Sequence, residues 1–162
     1  MAKNKKISKT NALRELETLN IPYECTTYES NGFMDGISVA DAIGKSVKET
    51  YKTLVTIGTS RTNYVFVIPV AAELDLKKAA IAVGEKSIAM IPAKDITPTT
   101  GYIKGGCSPV GMKKLFRTVI HTEAEYLPQI TVSAGKLGMQ MTLSPKDLQK
   151  ACKAEFADIV MV

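Results

Sequence analysis

The sequence contains no tryptophan, a single histidine and only three cysteines among its 162 residues. The cysteines, Cys25, Cys107 and Cys152, are odd in number and show no C-x-x-C spacing. This pattern argues against a disulfide framework and for a reducing compartment, so we expect a cytoplasmic protein. Because His121 is the sole imidazole and the thiols are scattered, a zinc site is disfavoured, and we expect neither a metal nor another cofactor.

Long apolar runs are absent as well. No stretch approaches the roughly 18 apolar residues of a membrane span, and no signal-type segment follows the lysine-rich N-terminus. Hydrophobic residues make up 45% of the chain and charged residues 23%, which is typical of a globular protein rather than a disordered one. We therefore expect one soluble domain over residues 1–162, in which residues 1–9 form a basic tail.

The common catalytic motifs are also missing. There is no P-loop, no G-x-G-x-x-G after a strand and no ordered Ser-His-Asp set. The net charge of +5 favours an anionic partner, with nucleic acid as the first candidate, although a scattered lysine surface gives the same charge. Composition and general motifs leave the function open.

What the sequence does contain is a series of short strands interrupted by helices. Leucines at 13, 16 and 19 have helical spacing. Asp75 and Ser144 are predicted to cap two further helices, and Ser38–Asp41 fits a capping box that begins another. Strands are predicted near residues 23–28, 53–57, 64–70, 87–91, 117–121, 129–133 and 138–143. Because no β-α unit repeats, we predict an α+β fold whose mixed, strongly curved sheet approaches a barrel with flanking helices.

Five segments in a fixed order are more informative than any single motif. They are Y-K-T-L-V at 51–55, L-D-L-K-K-A-A at 74–80, G-Y-I-K-G-G-C-S-P-V-G at 101–111, V-S-A-G-K-L-G at 132–138 and L-S-P-K-D-L at 143–148. In this order and spacing the chain resembles the YbaK/EbsC family. That family includes free-standing Cys-tRNA(Pro) deacylases and the editing insertion of bacterial prolyl-tRNA synthetases. The resemblance implies the editing fold of that family over nearly the whole chain.

The chain departs from the family pattern at three places. The family often has an aromatic residue shortly before the first helix of the pocket, where this chain offers Phe33 or Met34. Cys107 stands where a small aliphatic residue is usual, and Ala134 replaces a common glycine. These departures concern the substrate preference rather than the fold.

The resemblance implies a catalytic set of Lys52, Gly101 and Ser133. Without it, Lys52 would be taken for a surface lysine lying along an apolar strand. In the family the equivalent lysine lies in the pocket that holds the aminoacyl ester, where an ammonium can bind the developing oxyanion or the 3′ end of the tRNA. Gly101 serves equally well for a tight turn or for bringing a main-chain N–H close to a carbonyl oxygen.

Seven further residues are implied to bind the substrate, and several have an equally good structural explanation. Asp147 also fits a capping carboxylate, Tyr28 a half-buried strand tyrosine, and Gly135 a turn glycine, as does Ser133 of the catalytic set. The implied binding residues are Tyr28, Phe33, Thr53, Gly105, Gly106, Gly135 and Asp147.

A catalytic dyad is not evident, and the resemblance implies a substrate-assisted reaction. In that reaction the cysteinyl thiol attacks its own ester, and the protein orients the ester and stabilises the oxyanion. Two alternatives remain: hydrolysis of Ala- or Ser-tRNA by an activated water, and a non-catalytic tRNA-binding or regulatory module on the same fold. Cys107 is disfavoured as a nucleophile because it would need His121, the sole imidazole, as its base.

The expected partner is an aminoacyl-tRNA, with prolyl-tRNA synthetase as a possible source of specificity, and neither a membrane nor DNA is expected. Because no aromatic RNA-binding motif is present, we expect contacts of lysine and arginine with the tRNA backbone. The candidate contacts are Lys77, Lys78, Lys113, Lys114, Arg117, Lys136 and Lys146.

Overall fold

The computed structural model describes residues 9–30 and 34–162. Within them the α-helices are α1 (Asn11–Thr18), α2 (Gly36–Ile43), α3 (Leu76–Val83), α4 (Ile96–Thr100) and α5 (Pro145–Cys152). The strands are β1 (Glu24–Thr27), β2 (Tyr51–Gly58), β3 (Asn63–Pro69), β4 (Ile88–Met90), β5 (Arg117–His121), β6 (Ile130–Lys136), β7 (Met139–Leu143) and β8 (Glu155–Ala157). Short 3₁₀ turns occur at Ala93–Asp95 and Thr122–Tyr126. None of the helices in these two ranges has both the length and the apolarity to cross a membrane.

The strands form two sheets, which confirms the mixed α+β class. One is antiparallel with the order β1-β7-β6, and the other has the order β4-β2-β3-β5-β8. In the larger sheet β3, β5 and β8 run parallel to one another, whereas β2 is antiparallel to both β3 and β4. A parallel bridge between Thr50 and Thr131 connects the two sheets. The expected single curved sheet is thus divided in two, and the described strands do not close into a barrel.

The helix ends follow the capping residues that the sequence offers. Asp75 accepts hydrogen bonds from the N–H groups of Lys77 and Lys78, and Ser144 accepts one from Asp147, as predicted. The capping box predicted at Ser38–Asp41 is wrong. Asp35 caps α2 instead, because its carboxylate accepts from the N–H of Ser38 at 2.7 Å. The helix therefore begins at Gly36, two residues before Ser38.

The core is divided by β3. Val65 and Val67 face the smaller sheet and the helices α1 and α5, whereas Phe66 and Ile68 face α3. Since side chains alternate along a strand, one central strand is buried on both faces. This double burial explains why the strand predicted at 64–70 is a continuous apolar run.

The strand β8 was not predicted from the sequence. It has only three residues, Glu155–Ala157, and lies at the edge of the larger sheet beside β5. The chain then turns so that the N–H of Ile159 donates to Nδ1 of His121 at 3.4 Å. His121 is 3% exposed, and Asp158 beside it forms an ion pair with Lys78 at 3.0 Å. The imidazole therefore anchors the C-terminal segment through an unprotonated nitrogen.

Acidification should weaken this anchor. Burial lowers the pKa of His121 from its ordinary value of 6.5, so the unfolded chain takes up a proton at a higher pH than the folded protein does. The stabilisation is complete above about pH 6.5 and is lost as the pH falls towards the lowered folded pKa, by at most about 1.4 kcal/mol per pH unit. Urea unfolding at pH 5.5, 6.5 and 7.5 measures this slope.

His121→Asn is the matched variant, because its amide oxygen can accept from Ile159 but does not titrate in this range. The slope between pH 5.5 and 6.5 should decrease markedly in the variant. An unchanged slope would assign the pH dependence to other groups.

Candidate active site

An open cavity of about 280 Å³ lies beside β2, between the smaller sheet and the glycine-rich loop (residues 101–111) that follows α4. One wall is apolar and consists of Met34, Val39, Val70, Met90, Ile91 and Ile96. Polar groups converge from four other places: Lys52 and Thr53 on β2, Lys104 and Cys107 in the glycine-rich loop, Ser133 on β6 and Gln140 on β7. An apolar cavity with a few convergent polar groups is the usual form of a small-ligand site.

Lys52 lines this cavity from β2. Its main chain is held by pairing with Ile68 of the buried strand β3, so the position of the side chain is fixed at its base. Within residues 9–30 and 34–162, its ammonium forms neither a hydrogen bond nor an ion pair. Its charge is therefore available to an anionic or electron-rich group in the cavity.

Thr53 follows directly on β2 and also lines the cavity. Its Oγ1 is buried and has no hydrogen-bond partner among the described residues. A buried hydroxyl without a partner costs about 1–3 kcal/mol, and such groups are rare in folded proteins. The hydroxyl is a candidate for contact with a polar group of a ligand.

Ser133 and Gln140 stand opposite each other on the antiparallel pair β6 and β7. The Oγ of Ser133 accepts from the N–H of Gly135 at 3.1 Å, and Gln140 is 6% exposed. Sequence reasoning did not identify Gln140. The available indication was a polar residue between two methionines of the strand, two positions beyond the turn glycine Gly138.

The four predicted site glycines are not equivalent. Gly105 lines the cavity with a φ of 85°. Gly101 ends α4 with a φ of 87°, and a Cβ there would lie 3.2 Å from the Lys113 side chain. A Cβ on Gly106 would lie 3.1 Å from the main chain of Lys136, so this glycine lets the loop pack on the β6–β7 turn. The structure thus places Gly105 at the cavity and gives Gly101 and Gly106 a shaping role.

Three other predicted residues are not brought to the cavity. Tyr28 follows β1, where its N–H donates to the carbonyl oxygen of Gly138. Asp147 lies in the first turn of α5, where its main-chain N–H donates to the Ser144 hydroxyl; this bond is the Ser144 cap and does not involve the Asp147 carboxylate. Gly135 lies in the irregular part of β6 with a φ of 108°. Phe33 lies outside the described residues, whereas Met34, its alternative, lines the cavity.

Cys107 lines the cavity but is not activated. Burial raises the pKa of its thiol above the ordinary value, and its Sγ lies 3.7 Å from Oγ1 of Thr100. His121 lies in β5 and does not line the cavity, so no imidazole of the described residues stands ready to deprotonate the thiol. All three cysteines are free. The arrangement does not fit a thiol nucleophile.

The charge of the cavity is positive. Lys52 and Lys104 are among its lining residues, and no carboxylate of the described chain is. No group of three or more His, Cys, Asp and Glu side chains in the described ranges could hold a metal ion. Lys104 was not among the basic residues predicted from the sequence. Of those residues, Lys78 and Arg117 are engaged in ion pairs with Asp158 and Glu155 on the larger sheet.

Comparison with known proteins identifies relatives along the whole chain. Residues 34–151 match the aminoacyl-tRNA editing domain family. A protein of Enterococcus faecalis, provisionally named as the Cys-tRNA(Pro)/Cys-tRNA(Cys) deacylase EbsC, is 46% identical over 162 residues, covering 98% of each chain. Among solved structures, a provisionally assigned trans-editing enzyme for prolyl-tRNA synthetase has a TM-score of 0.83 at 22% identity and covers 94% of this chain and 96% of its own. A chain from work on epitope grafting onto scaffold proteins has a TM-score of 0.84 at 23% identity, with the same shares covered. At these identities the two structures show the fold.

Gly135→Ala should destabilise the protein by about 2–3 kcal/mol. The new Cβ would lie 2.9 Å from Cε1 of Tyr102, and a φ of 108° is strained for alanine. Tyr102 holds the glycine-rich loop through its hydroxyl, which donates to the carbonyl of Val110 at 2.7 Å. Urea unfolding gives the change in the free energy of unfolding.

Gly44→Ala is the matched control, because its φ is 71° but a Cβ there has no atom within 4 Å. It should cost only about 1 kcal/mol. Equal losses in the two variants would show that backbone strain alone, and not the contact with Tyr102, makes Gly135 necessary.

Proposed function

This chain belongs to the aminoacyl-tRNA editing domain family, and we propose that it acts in trans as a deacylase that hydrolyses Cys-tRNA(Pro) and Cys-tRNA(Cys). The relative from Enterococcus faecalis carries that assignment in its name and matches along 98% of both chains. The cavity supports the proposal, because it offers a positively charged, partly apolar site for an ester attached to an anionic polymer.

The proposed mechanism rests on the chemical groups that line the cavity. Its described lining includes lysine, hydroxyl and amide side chains but no carboxylate and no imidazole, the usual general bases for activating a water. A substrate that brings its own nucleophile needs no such base. The cysteinyl thiol is that nucleophile, and neighbouring cations favour its thiolate form.

The reaction then takes two balanced steps. The thiolate sulfur attacks the ester carbonyl carbon, a C–S bond forms, and the C–O bond to the ribose breaks with its electron pair leaving on the ribose oxygen. That oxygen takes up the proton released by the thiol, so the tRNA leaves with a free hydroxyl and a cyclic thioester remains. Water then adds to the thioester carbonyl, the C–S bond breaks, and free cysteine is released.

Lys52 has the central role in this proposal. Its ammonium, which has no partner among the described residues, stabilises the oxyanion that develops on the carbonyl oxygen. Ser133 and Gln140 line the cavity from the smaller sheet and orient the ester by hydrogen bonds. The volume of about 280 Å³ is at the small end for ligand sites, which suits an amino acid and part of the terminal ribose.

Selection of the tRNA itself needs a further contribution. The basic residues predicted as the tRNA footprint are partly engaged in internal ion pairs, and contacts with phosphates carry no sequence information. We therefore propose that prolyl-tRNA synthetase supplies the identity of the tRNA, while this protein recognises the aminoacyl group.

A panel of charged tRNAs tests the function. The purified protein is incubated with labelled Cys-, Ala-, Ser- and Pro-tRNA(Pro), and the release of free amino acid is measured. We expect fast release of cysteine and at least about a hundredfold slower release of alanine, because an alanyl ester has no internal nucleophile. Alanine released as fast as cysteine would favour an activated water, and release of no amino acid would favour a binding module.

Lys52→Ala should slow the release of cysteine about a hundredfold or more, since one oxyanion-stabilising group typically contributes on the order of 3–4 kcal/mol. Lys52→Arg should also be impaired, because the planar guanidinium presents its donors differently. The free energy of unfolding should change by less than about 1 kcal/mol.

Cys107→Ala is the control and should keep most of the activity, because its thiol is not activated. Both variants are compared by single-turnover assays after circular dichroism has shown that they fold. An active Lys52→Ala protein beside an inactive Cys107→Ala protein would reverse the assignment.

A further inference from the structure

The cavity runs along the main chain of β2, not only along its side chains. Six consecutive residues line it, from Thr50 to Val55. Side chains of a strand alternate between two faces, so a surface that contacts every residue in turn has to follow the edge of the strand. The main-chain N–H and C=O groups on this edge therefore face the cavity.

The alternation of hydrogen bonds along β2 identifies the main-chain groups that face the cavity. Val70 donates to the carbonyl of Thr50, so the even-numbered residues of β2 point their main-chain groups towards β3. Ile91 donates to the carbonyl of Val55, so the odd-numbered residues point theirs away from β3. In an antiparallel ladder this alternation continues along the strand. The N–H and the C=O of Thr53 both point to the cavity.

Thr53 occupies a gap between two neighbouring strands on this edge. At one end the chain before β2 is joined to β6, because Thr131 donates to the carbonyl of Glu49 at 2.8 Å. At the other end β4 pairs with residues 56–58 and its successor Ile91 bonds to Val55. On this side no described residue donates to or accepts from the main chain of Thr53. The sheet edge is thus interrupted between the bridge at Thr50 and the bond at Val55, and Thr53 lies in this gap, at the cavity.

We propose that the aminoacyl group of the substrate fills this gap and pairs with the main chain of Thr53, an inference that rests on the proposed function. An α-amino acid in extended form presents its nitrogen and its carbonyl oxygen on the same side, as a residue of a strand does. Its α-ammonium donates to the C=O of Thr53, and its ester carbonyl accepts from the N–H of Thr53. This is the doubly hydrogen-bonded pair of an antiparallel ladder.

The chemistry of the cavity favours this pairing. The α-ammonium of the substrate needs acceptors, and the described lining residues include two lysines but no carboxylate. Neutral main-chain oxygen is an acceptor that the site can offer. The N–H of Thr53 becomes a second donor to the oxyanion beside the Lys52 ammonium, and main-chain donors are well suited to this role because they do not reorganise during the reaction.

The main-chain donor is tested by replacing Thr53 with its α-hydroxy acid in the full-length protein, which changes the N–H to an ester oxygen and leaves the side chain unchanged. We expect kcat for Cys-tRNA(Pro) to fall about a hundredfold. The control is the same replacement at Ile57, which also lies on the outer edge of β2 but is paired with Ala89. It should lower stability and leave kcat nearly unchanged.

The hydrogen bond from the α-ammonium to the carbonyl oxygen of Thr53 is tested on the unaltered protein. The substrate is 3-mercaptopropanoyl-tRNA(Pro), which keeps the thiol and the ester but lacks the α-amino group. Loss of a charged hydrogen bond should raise KM at least about tenfold relative to Cys-tRNA(Pro). This arm decides the question if the Thr53 variant does not fold. A native kcat in a folded Thr53 variant, or an unchanged KM for the desamino substrate, overturns the pairing. If the unaltered protein releases no cysteine at all, the proposed function fails instead.

Discussion

The pairing of β2 is the constraint on which the site depends. On one edge this strand is bonded along its whole length to β3, whose side chains are buried on both faces. On the other edge it has β6 near its start and β4 at its end, with a gap between them. Because β3 holds β2 rigidly, the gap keeps its shape without a ligand. Lys52 and Thr53 are therefore positioned by the sheet and not by the loops around the cavity.

A cavity built in this way performs limited chemistry of its own. It provides a cation, hydroxyls, an amide and main-chain groups, all of which bind or stabilise charge. The described part of the lining supplies no group of the kind that removes a proton from water. In the proposed reaction the substrate contributes the nucleophile, and this makes the side chain of the amino acid part of the catalytic apparatus. Under that proposal, selectivity for cysteine follows from chemistry as well as from fit.

Much of the fold was predictable because local patterns determine it. Three features depend only on residues close together in the sequence: the caps at Asp75 and Ser144, the leucine spacing of α1 and the apolar run of β3. The division into two sheets and the edge strand β8 depend on pairings between distant segments, which no local pattern reveals. Of the site residues, the order of the five family segments located Lys52, Thr53, Gly105 and Ser133 at the cavity. Gln140 and Lys104 were not identified, because the sequence signals at these positions gain a meaning only when β7 and the glycine-rich loop meet β2.

The gap at Thr53 also has a thermodynamic consequence. The buried Thr53 hydroxyl, which has no partner among the described residues, costs stability on the order of 1–3 kcal/mol. Folded proteins retain such groups where function needs them, and the doubly covered β3 and the capped helices offset the cost here. A ligand that supplies the missing partners binds the native state alone and stabilises it by mass action. If the aminoacyl group pairs with Thr53 as proposed, its recognition and the completion of the sheet are the same event, because the hydrogen bonds that position the ester are those that the folded chain leaves unmade.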